Sequence, residues 1–241
     1  MWKRELLVVA ARTSQGKSMF TLHLAKMLAD KGETVAFFSL EMSKEQLVER
    51  LFTNICEINN LDLREGRVHG LVEERAELFL EWSKNIKLLI DDQNGYNFDK
   101  IVKVVKEIRP SWVFVDYVQM ISMKGYKDKL SAMDEFIKEI HRLGKSMDFG
   151  TILVSQVNRQ GVGEAGLHHL KNCGTLEEHS DSIFLLSWDR DKNQYVIRVE
   201  KNRHGACHIL NANFQPQFSR FSDGEPFVPP MLPVKERKDW V

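Results

Sequence analysis

The feature that most restricts the fold of this chain is an alternation of short apolar runs with helical patterns. Five apolar runs have the length of a buried strand, and they lie at residues 6–10, 34–40, 87–91, 112–116 and 151–156. Segments between them place apolar residues three and four positions apart, which is typical of amphipathic helices. Ser43 stands three residues before Gln46, a spacing that predicts the capped start of one such helix. The alternation predicts an α/β fold with a mainly parallel sheet and helices on both faces.

Three more apolar runs follow with little helix between them, at residues 182–187, 194–201 and 208–214. Parallel neighbours need a long crossover connection, whereas antiparallel neighbours do not. We therefore expect the sheet to end in antiparallel strands.

The stretch VVAARTSQGKSMF joins the first apolar run to a helix through a short polar loop. When a strand leads through a loop of small residues into a helix, backbone N–H groups of the loop and the positive N-terminal end of the helix dipole point at the same place. A phosphate fits at that place. Gly16, Lys17 and Ser18 match the P-loop pattern G-x-x-x-x-G-K-[ST], and Ala11 replaces its first glycine. The predicted nucleotide-binding residues are Ala11, Arg12, Thr13, Ser14, Gln15, Gly16, Lys17 and Ser18. A strand-to-helix turn with an exposed lysine is the alternative interpretation.

Polar side chains end three of the predicted strands, namely Glu41, Asp116 and Gln156. Ligands of parallel sheets bind beyond the carboxyl ends of the strands, so we expect these side chains near the phosphate loop. Asp116 would hold Mg²⁺ through water while Ser18 ligates it directly. Glu41 would accept a proton from the attacking water, and Gln156 would hydrogen-bond a γ-phosphate. Taken singly, a carboxylate after a strand is more often a turn or cap residue.

Composition limits the remaining possibilities. The chain has 241 residues, of which 43% are hydrophobic and 28% charged, and this indicates one large or two small domains. Its formal net charge is zero, so any DNA contact must come from local loops. The three cysteines form no C-x-x-C pair, which suits the reducing cytoplasm. We see neither an apolar run of membrane-spanning length nor a signal peptide in the sequence. We expect one domain over residues 1–222 and an extended, proline-containing tail over 223–241.

Six segments resemble the ATPase domain of DnaB-type replicative helicases, which has a RecA-like P-loop fold. They are AARTSQGKS, VAFFSLEMSKEQLVERL, VDYVQMI, LVSQVNR, GTLEEHSD and VEKNRHG, in this order between Leu6 and Phe221. The resemblance implies a hexameric ring that hydrolyses ATP or another NTP between subunits with the help of Mg²⁺. It also implies 5′-to-3′ translocation on single-stranded DNA during replication, in a bacterial cell or phage-infected host, with a primase and a helicase loader as partners.

The resemblance adds two further groups of residues. Lys201 and Arg203 would reach into a neighbouring subunit's site as an arginine finger, although a solvated hairpin turn with basic residues is the alternative. The loops over residues 122–129 and 158–174 would face the DNA channel. Their candidate phosphate contacts are Lys124, Lys127, Lys129, Arg159 and Lys171.

The chain also departs from the resembled family. We see neither the N-terminal helical domain nor the linker helix of these helicases, and expect either an isolated ATPase domain or a natural short form. Two other functions stay open. One is a RecA-like recombinase or clock-type ATPase that does not unwind DNA, and the other is an accessory protein of a replisome that binds nucleotide as a switch.

Overall fold

A computed structural model describes residues 3–68, 70–93, 97–123, 125–126, 128–157 and 174–224. The predicted tail from residue 225 onward and most of the predicted loop at 158–174 lie outside the described residues. These described residues form nine strands, which are β1 (Leu6–Ala11), β2 (Thr34–Ser39), β3 (Lys87–Asp91), β4 (Trp112–Asp116), β5 (Gly150–Gln156), β6 (Ser182–Asp189), β7 (Gln194–Asn202), β8 (Ile209–Gln215) and β9 (Arg220–Asp223). The helices are α1 (Lys17–Asp30), α2 (Lys44–Ile55), α3 (Asn60–Arg64), α4 (Leu71–Asn85), α5 (Phe98–Ile108), α6 (Lys129–Met147) and α7 (Gly174–His179).

All nine strands form one sheet in the order β3-β2-β4-β5-β1-β6-β7-β8-β9. The neighbours from β3 to β6 pair parallel, and those from β6 to β9 pair antiparallel. The predicted fold class, including the change of strand direction near the C-terminal end, is confirmed. Strand β9 and helices α3, α4 and α7 were not predicted, because they are short or carry many charged residues and so lack a clear apolar period.

The sheet lies between two apolar cores. Leu6 and Val8 of β1 face the core that contains α5 and α6, whereas Leu7 and Val9 face the core that contains α1 and α2. Successive side chains of a strand point to opposite faces, so a strand covered on both sides needs apolar residues throughout. This explains why the run at residues 6–10 is continuous.

The predicted start of α2 is confirmed in atomic detail. The Ser43 hydroxyl accepts a 3.3 Å hydrogen bond from Gln46 N, and Gln46 Oε1 accepts a 3.2 Å bond from Ser43 N. This reciprocal capping satisfies two N–H groups that lie outside the helical hydrogen-bond pattern. Among the described residues, no helix is both long enough and apolar enough to cross a membrane.

Candidate nucleotide site

Four strand ends meet at one edge of the sheet. Strand β4 lies between β2 and β5, and β1 lies on the other side of β5. Ser39 at the end of β2 pairs with Asp116 at the end of β4, and Ala11 at the end of β1 pairs with Gln156 at the end of β5. We call this the nucleotide edge. It brings together Asp116, Gln156 and the P-loop, as the sequence predicted.

The P-loop has the backbone geometry of an anion site. Gly16 adopts a left-handed conformation with φ of 75° directly before α1, a conformation that glycine adopts at little cost. Among the described residues, no side chain caps this helix start, so its first N–H groups remain directed at the loop. Lys17, the first residue of α1, is only 7% exposed. The lysine is therefore buried beside the loop, unlike the exposed lysine of the alternative interpretation.

The antiparallel strands support the P-loop. Tyr195 of β7 is fully buried and donates a 3.0 Å hydrogen bond to the Gln15 carbonyl oxygen. The Gln15 side chain accepts a hydrogen bond from Trp188 N, and Arg190 donates a 3.0 Å bond to the Ser14 carbonyl. These contacts join positions more than 170 residues apart in the sequence. Sequence analysis missed them because no local spacing signals them.

Asp116 is a carboxylate that lies buried at the end of β4. Its side chain is inaccessible to solvent, and both carboxylate oxygens lack a partner among the described residues. Burial raises the pKa of Asp116 to about 6, while the nearby Ser18 hydroxyl and Lys17 ammonium act in the opposite direction. A buried, unpartnered carboxylate next to a hydroxyl offers the hard oxygen ligands that Mg²⁺ prefers. Ser18 and Asp116 therefore fit the predicted metal position.

Glu41 lies on a turn that is fixed to the end of β4. The Ser39 hydroxyl donates a 2.7 Å hydrogen bond to the Met42 carbonyl, and Leu40 N donates a 2.6 Å bond to the Asp116 carbonyl. Glu41 itself is exposed, and its charge contributes to the raised pKa of Asp116. The turn thus holds an accessible carboxylate beside the buried one.

Arg50 of α2 is a cation near both carboxylates that sequence analysis missed. Burial lowers its pKa most, and Arg64 adds to this, whereas Asp116, Glu49 and Glu41 raise it. No pattern in the sequence separates Arg50 from the other charged residues of α2.

Two glutamines connect the end of β5 to its neighbours. The Gln156 amide donates a 2.7 Å hydrogen bond to Thr13 Oγ1 in the P-loop. Gln119, in the 3₁₀ turn after β4, donates to Ser155 Oγ at 2.9 Å and to the Gln156 carbonyl at 3.3 Å. The quoted segment VDYVQMI contains Gln119, but sequence analysis did not assign it a role.

Lys201 and Arg203 lie at the opposite edge of the sheet, which we call the far edge. Asn202 at the end of β7 pairs with Ser182 at the start of β6, and Arg203 Nη1 donates a 2.8 Å hydrogen bond to Asp181. Strand β1 runs from the far edge to the nucleotide edge, and its six residues span about 17–20 Å. This length is the distance between the two edges. The structure therefore brings Lys201 and Arg203 close to each other but not to the P-loop of their own chain.

The predicted DNA contacts can be located for one residue only. Lys129 is exposed and begins α6, directly after Asp128, whose carboxylate accepts a 2.8 Å hydrogen bond from Ser131 N. Lys124, Lys127, Arg159 and Lys171 lie outside the described residues. Their predicted role stays a prediction.

Comparison with known proteins agrees with this architecture. At 27% identity, the chain is similar to a probable plasmid replicative DNA helicase of Chlamydia psittaci over 90% of this chain and 51% of the relative, and to the replicative DNA helicase DnaC of Bacillus subtilis over 91% and 52%. It thus spans about half the length of the curated relatives it matches.

Two solved structures share the fold. One is an ATPase domain with a TM-score of 0.86 at 24% identity, covering 93% of this chain and 86% of that one. The other is a DnaB-like replicative helicase studied with regard to its interactions with primase, and it has a TM-score of 0.85 at 24% identity. The second match covers 93% of this chain and 58% of that chain.

A family model covers almost the whole described chain. The model of the DnaB-like helicase C terminal domain matches residues 1–223. Since that match includes nearly every described residue, the chain belongs to this family, as its motifs predicted.

Proposed function

We propose that this chain is the motor domain of an ATP-dependent 5′-to-3′ replicative DNA helicase that works as a hexameric ring. The observation that carries the proposal is the separation of the candidate catalytic groups between two edges of one sheet. The nucleotide edge has the P-loop and Asp116, whereas Arg203 is at the far edge, beyond the reach of its own P-loop. A site that needs both sets of groups must be completed by a second copy of the chain.

At the nucleotide edge, the P-loop residues bind and orient the phosphates. The N–H groups around Gly16 and the start of α1 point at one place, and Lys17 meets the β- and γ-phosphates there. Ser18 and Asp116 would hold Mg²⁺, which supplies positive charge to offset that of the phosphates when bound. A nearby cation also favours the ionised form of Asp116, whose pKa is otherwise about 6.

Glu41 and Gln156 act on the reacting end of the nucleotide. Glu41 is exposed at the edge, so its carboxylate can accept a proton from the attacking water. Gln156 is held by Thr13 at 2.7 Å and presents an uncharged amide to the γ-phosphate. Its neutral side chain can orient that phosphate without changing the net charge of the site.

Lys201 and Arg203 supply positive charge from the neighbouring copy. The two cations lie close together, because they flank Asn202, the last residue of β7. Burial and the charge of Arg203 both lower the pKa of Lys201. Two adjacent cations favour an anionic partner, and the transferred phosphoryl group carries negative charge in the transition state. We propose that this group is their partner.

Single-stranded DNA, other copies of the chain, a primase and a loader are the proposed partners. Because the net charge is zero, DNA binding depends on local cations such as Lys129 and those of the two predicted loops. The solved DnaB-like helicase that interacts with primase supports that partner for this chain as well.

The direct test is nucleotide hydrolysis with and without single-stranded DNA, followed by unwinding of a partial duplex. We expect hydrolysis that DNA stimulates, and its loss in Lys17→Ala. Lys26→Ala is the matched control, because Lys26 lies on the same helix but pairs with Asp30. Binding without turnover would favour the nucleotide switch, and stimulated turnover without unwinding would favour the recombinase or clock-type ATPase.

A further inference from the structure

We infer that Asp181 is a positioning residue that holds the Arg203 guanidinium in the orientation in which it reaches a neighbour's site. This inference rests on the proposed role of Arg203 between subunits. Asp181 directly precedes β6, and Arg203 directly follows β7, so the two residues lie side by side at the far edge.

One oxygen of the Asp181 carboxylate binds Arg203, and the other binds the backbone of β1. Oδ1 accepts a 2.8 Å hydrogen bond from Arg203 Nη1, and Oδ2 accepts a 2.9 Å bond from Leu6 N at the start of β1. The Asp181 side chain is 7% exposed, whereas that of Arg203 is 48% exposed. A buried carboxylate therefore holds one N–H of a guanidinium whose side chain is about half exposed to solvent.

The backbone around this pair is equally well fixed. Arg203 N donates a 2.8 Å hydrogen bond to the Asp181 carbonyl, and Asp181 N donates a 2.8 Å bond to the Leu6 carbonyl. His141 of α6, itself buried, places Nε2 3.4 Å from Asp181 Oδ2. Asp181 is thus anchored to a central strand on one side and covered by a helix on the other.

This arrangement reduces the conformational freedom of the Arg203 side chain, which has to reach the nucleotide site of a neighbouring subunit. A free arginine side chain samples many rotamers, and ordering it at the moment of reaction costs free energy. The guanidinium presents its donors in a rigid planar fork, so fixing one N–H sets the direction of the others. Asp181 thereby orders the finger before the neighbour's nucleotide arrives.

Asp181→Asn separates this role from folding. The substitution keeps the shape of the side chain, and the amide oxygen can still accept from Leu6 N. Its NH₂ group then faces Arg203, so that a donor meets a donor. We expect a fall in kcat of at least about tenfold with little change in KM, because an arginine finger acts on the transition state rather than on nucleotide binding. The matched control is Asp148→Asn, which breaks an exposed 2.6 Å pair with Arg4 at the same edge and should change kcat by less than about twofold.

Two further measurements distinguish positioning from a structural defect. Asp181→Asn combined with Arg203→Ala should be no slower than Arg203→Ala alone, since both remove the same function. Asp181→Asn subunits mixed with Lys17→Ala subunits should regain turnover. The Asp181→Asn subunits have intact P-loops, and the Lys17→Ala subunits have correctly held fingers.

The outcomes separate the inference from the proposed function. If Arg203→Ala is inactive and rescued by mixing while Asp181→Asn keeps a normal kcat, the inference is overturned and the proposed function stands. Additive losses in the double variant, or an Asp181→Asn defect that mixing does not rescue, would also overturn it. If Arg203→Ala itself turns over normally, the proposed function fails and the inference fails with it.

Discussion

The Gln156 side chain donates a 2.7 Å hydrogen bond to Thr13 Oγ1 and so joins the end of β5 to the P-loop. Gln119 holds the same strand end from the other side, through Ser155 and the Gln156 backbone. The chain continues from this strand end into the predicted DNA loop. The proposed DNA contacts of that loop would thus be linked to the P-loop through the β5 backbone and one side-chain hydrogen bond.

Thr13→Val tests this connection, since valine keeps the branched shape and removes the hydroxyl. A single neutral hydrogen bond contributes about 1 kcal/mol, which corresponds to roughly a fivefold loss of turnover if Gln156 must be held in place. We expect the loss in steady-state hydrolysis measured with single-stranded DNA present. Thr13→Ser keeps the hydroxyl and should behave like the unchanged chain, whereas equal losses in both variants would assign the effect to packing.

Glu41→Gln should retain nucleotide binding and lose hydrolysis, because the amide keeps the shape of the side chain but cannot accept the proton. Removal of a general base costs about 10²–10⁴ in rate. Equilibrium binding of a fluorescent nucleotide together with single-turnover hydrolysis measures both quantities. Glu45→Gln, an exposed change in the first turn of the following helix, is the control. Normal hydrolysis in Glu41→Gln would mean that the base lies elsewhere.

Asp116 makes the stability of the nucleotide-free chain depend on pH. The pKa of Asp116 is about 6 in the folded chain and 3.8 for a free side chain, so the folded chain binds the proton more tightly than the unfolded chain does. The resulting gain in the free energy of unfolding is fully present below about pH 4 and is lost as the pH rises through about 6. At pH 8, the ionised, buried carboxylate destabilises the fold by at most about 3 kcal/mol.

Asp116→Asn should therefore unfold at higher urea concentration than the unchanged chain at pH 8, and the difference should be smaller at pH 5. The same variant should lose hydrolysis. Asp191→Asn, at an exposed turn, provides the control for urea unfolding. A stability difference that is the same at both pH values would show that the buried charge is not its cause.

Lys129→Ala tests the one proposed DNA contact that lies among the described residues. The slope of log affinity against log salt is about −0.7 per phosphate contacted on single strands, so losing one contact per subunit should flatten it. Fluorescence anisotropy with an oligonucleotide at several salt concentrations measures this slope. Lys103→Ala removes an exposed lysine of α5 and should leave the slope unchanged. An unchanged slope in Lys129→Ala would place that residue outside the channel.

The nucleotide edge could be predicted from the sequence because its information is local. An apolar run fixes where a strand ends, and parallel strands place their carboxyl ends together. Glu41, Asp116 and Gln156 could therefore be assigned to one edge without knowledge of the strand order. The fold and the family were predicted for the same reason, since most of the motifs lie at strand ends.

The contacts that hold the site residues in place could not be predicted, because they depend on which strands are neighbours in the sheet. Tyr195 reaches Gln15 only because β6 and β7 lie beside β1. Asp181 meets Arg203 because β6 and β7 pair antiparallel, which brings together two residues that are 22 positions apart. The buried environment of Asp116 likewise results from packing on both faces and not from its sequence neighbours.

We propose that one copy of the chain completes the nucleotide site of another. This sharing is tested by mixing Lys17→Ala subunits, which lack a working P-loop, with Arg203→Ala subunits, which lack the finger. Neither parent should hydrolyse nucleotide alone, and mixed oligomers should regain turnover at interfaces that pair an intact P-loop with an intact finger. Mixed oligomers that form but show no recovery would contradict the shared site.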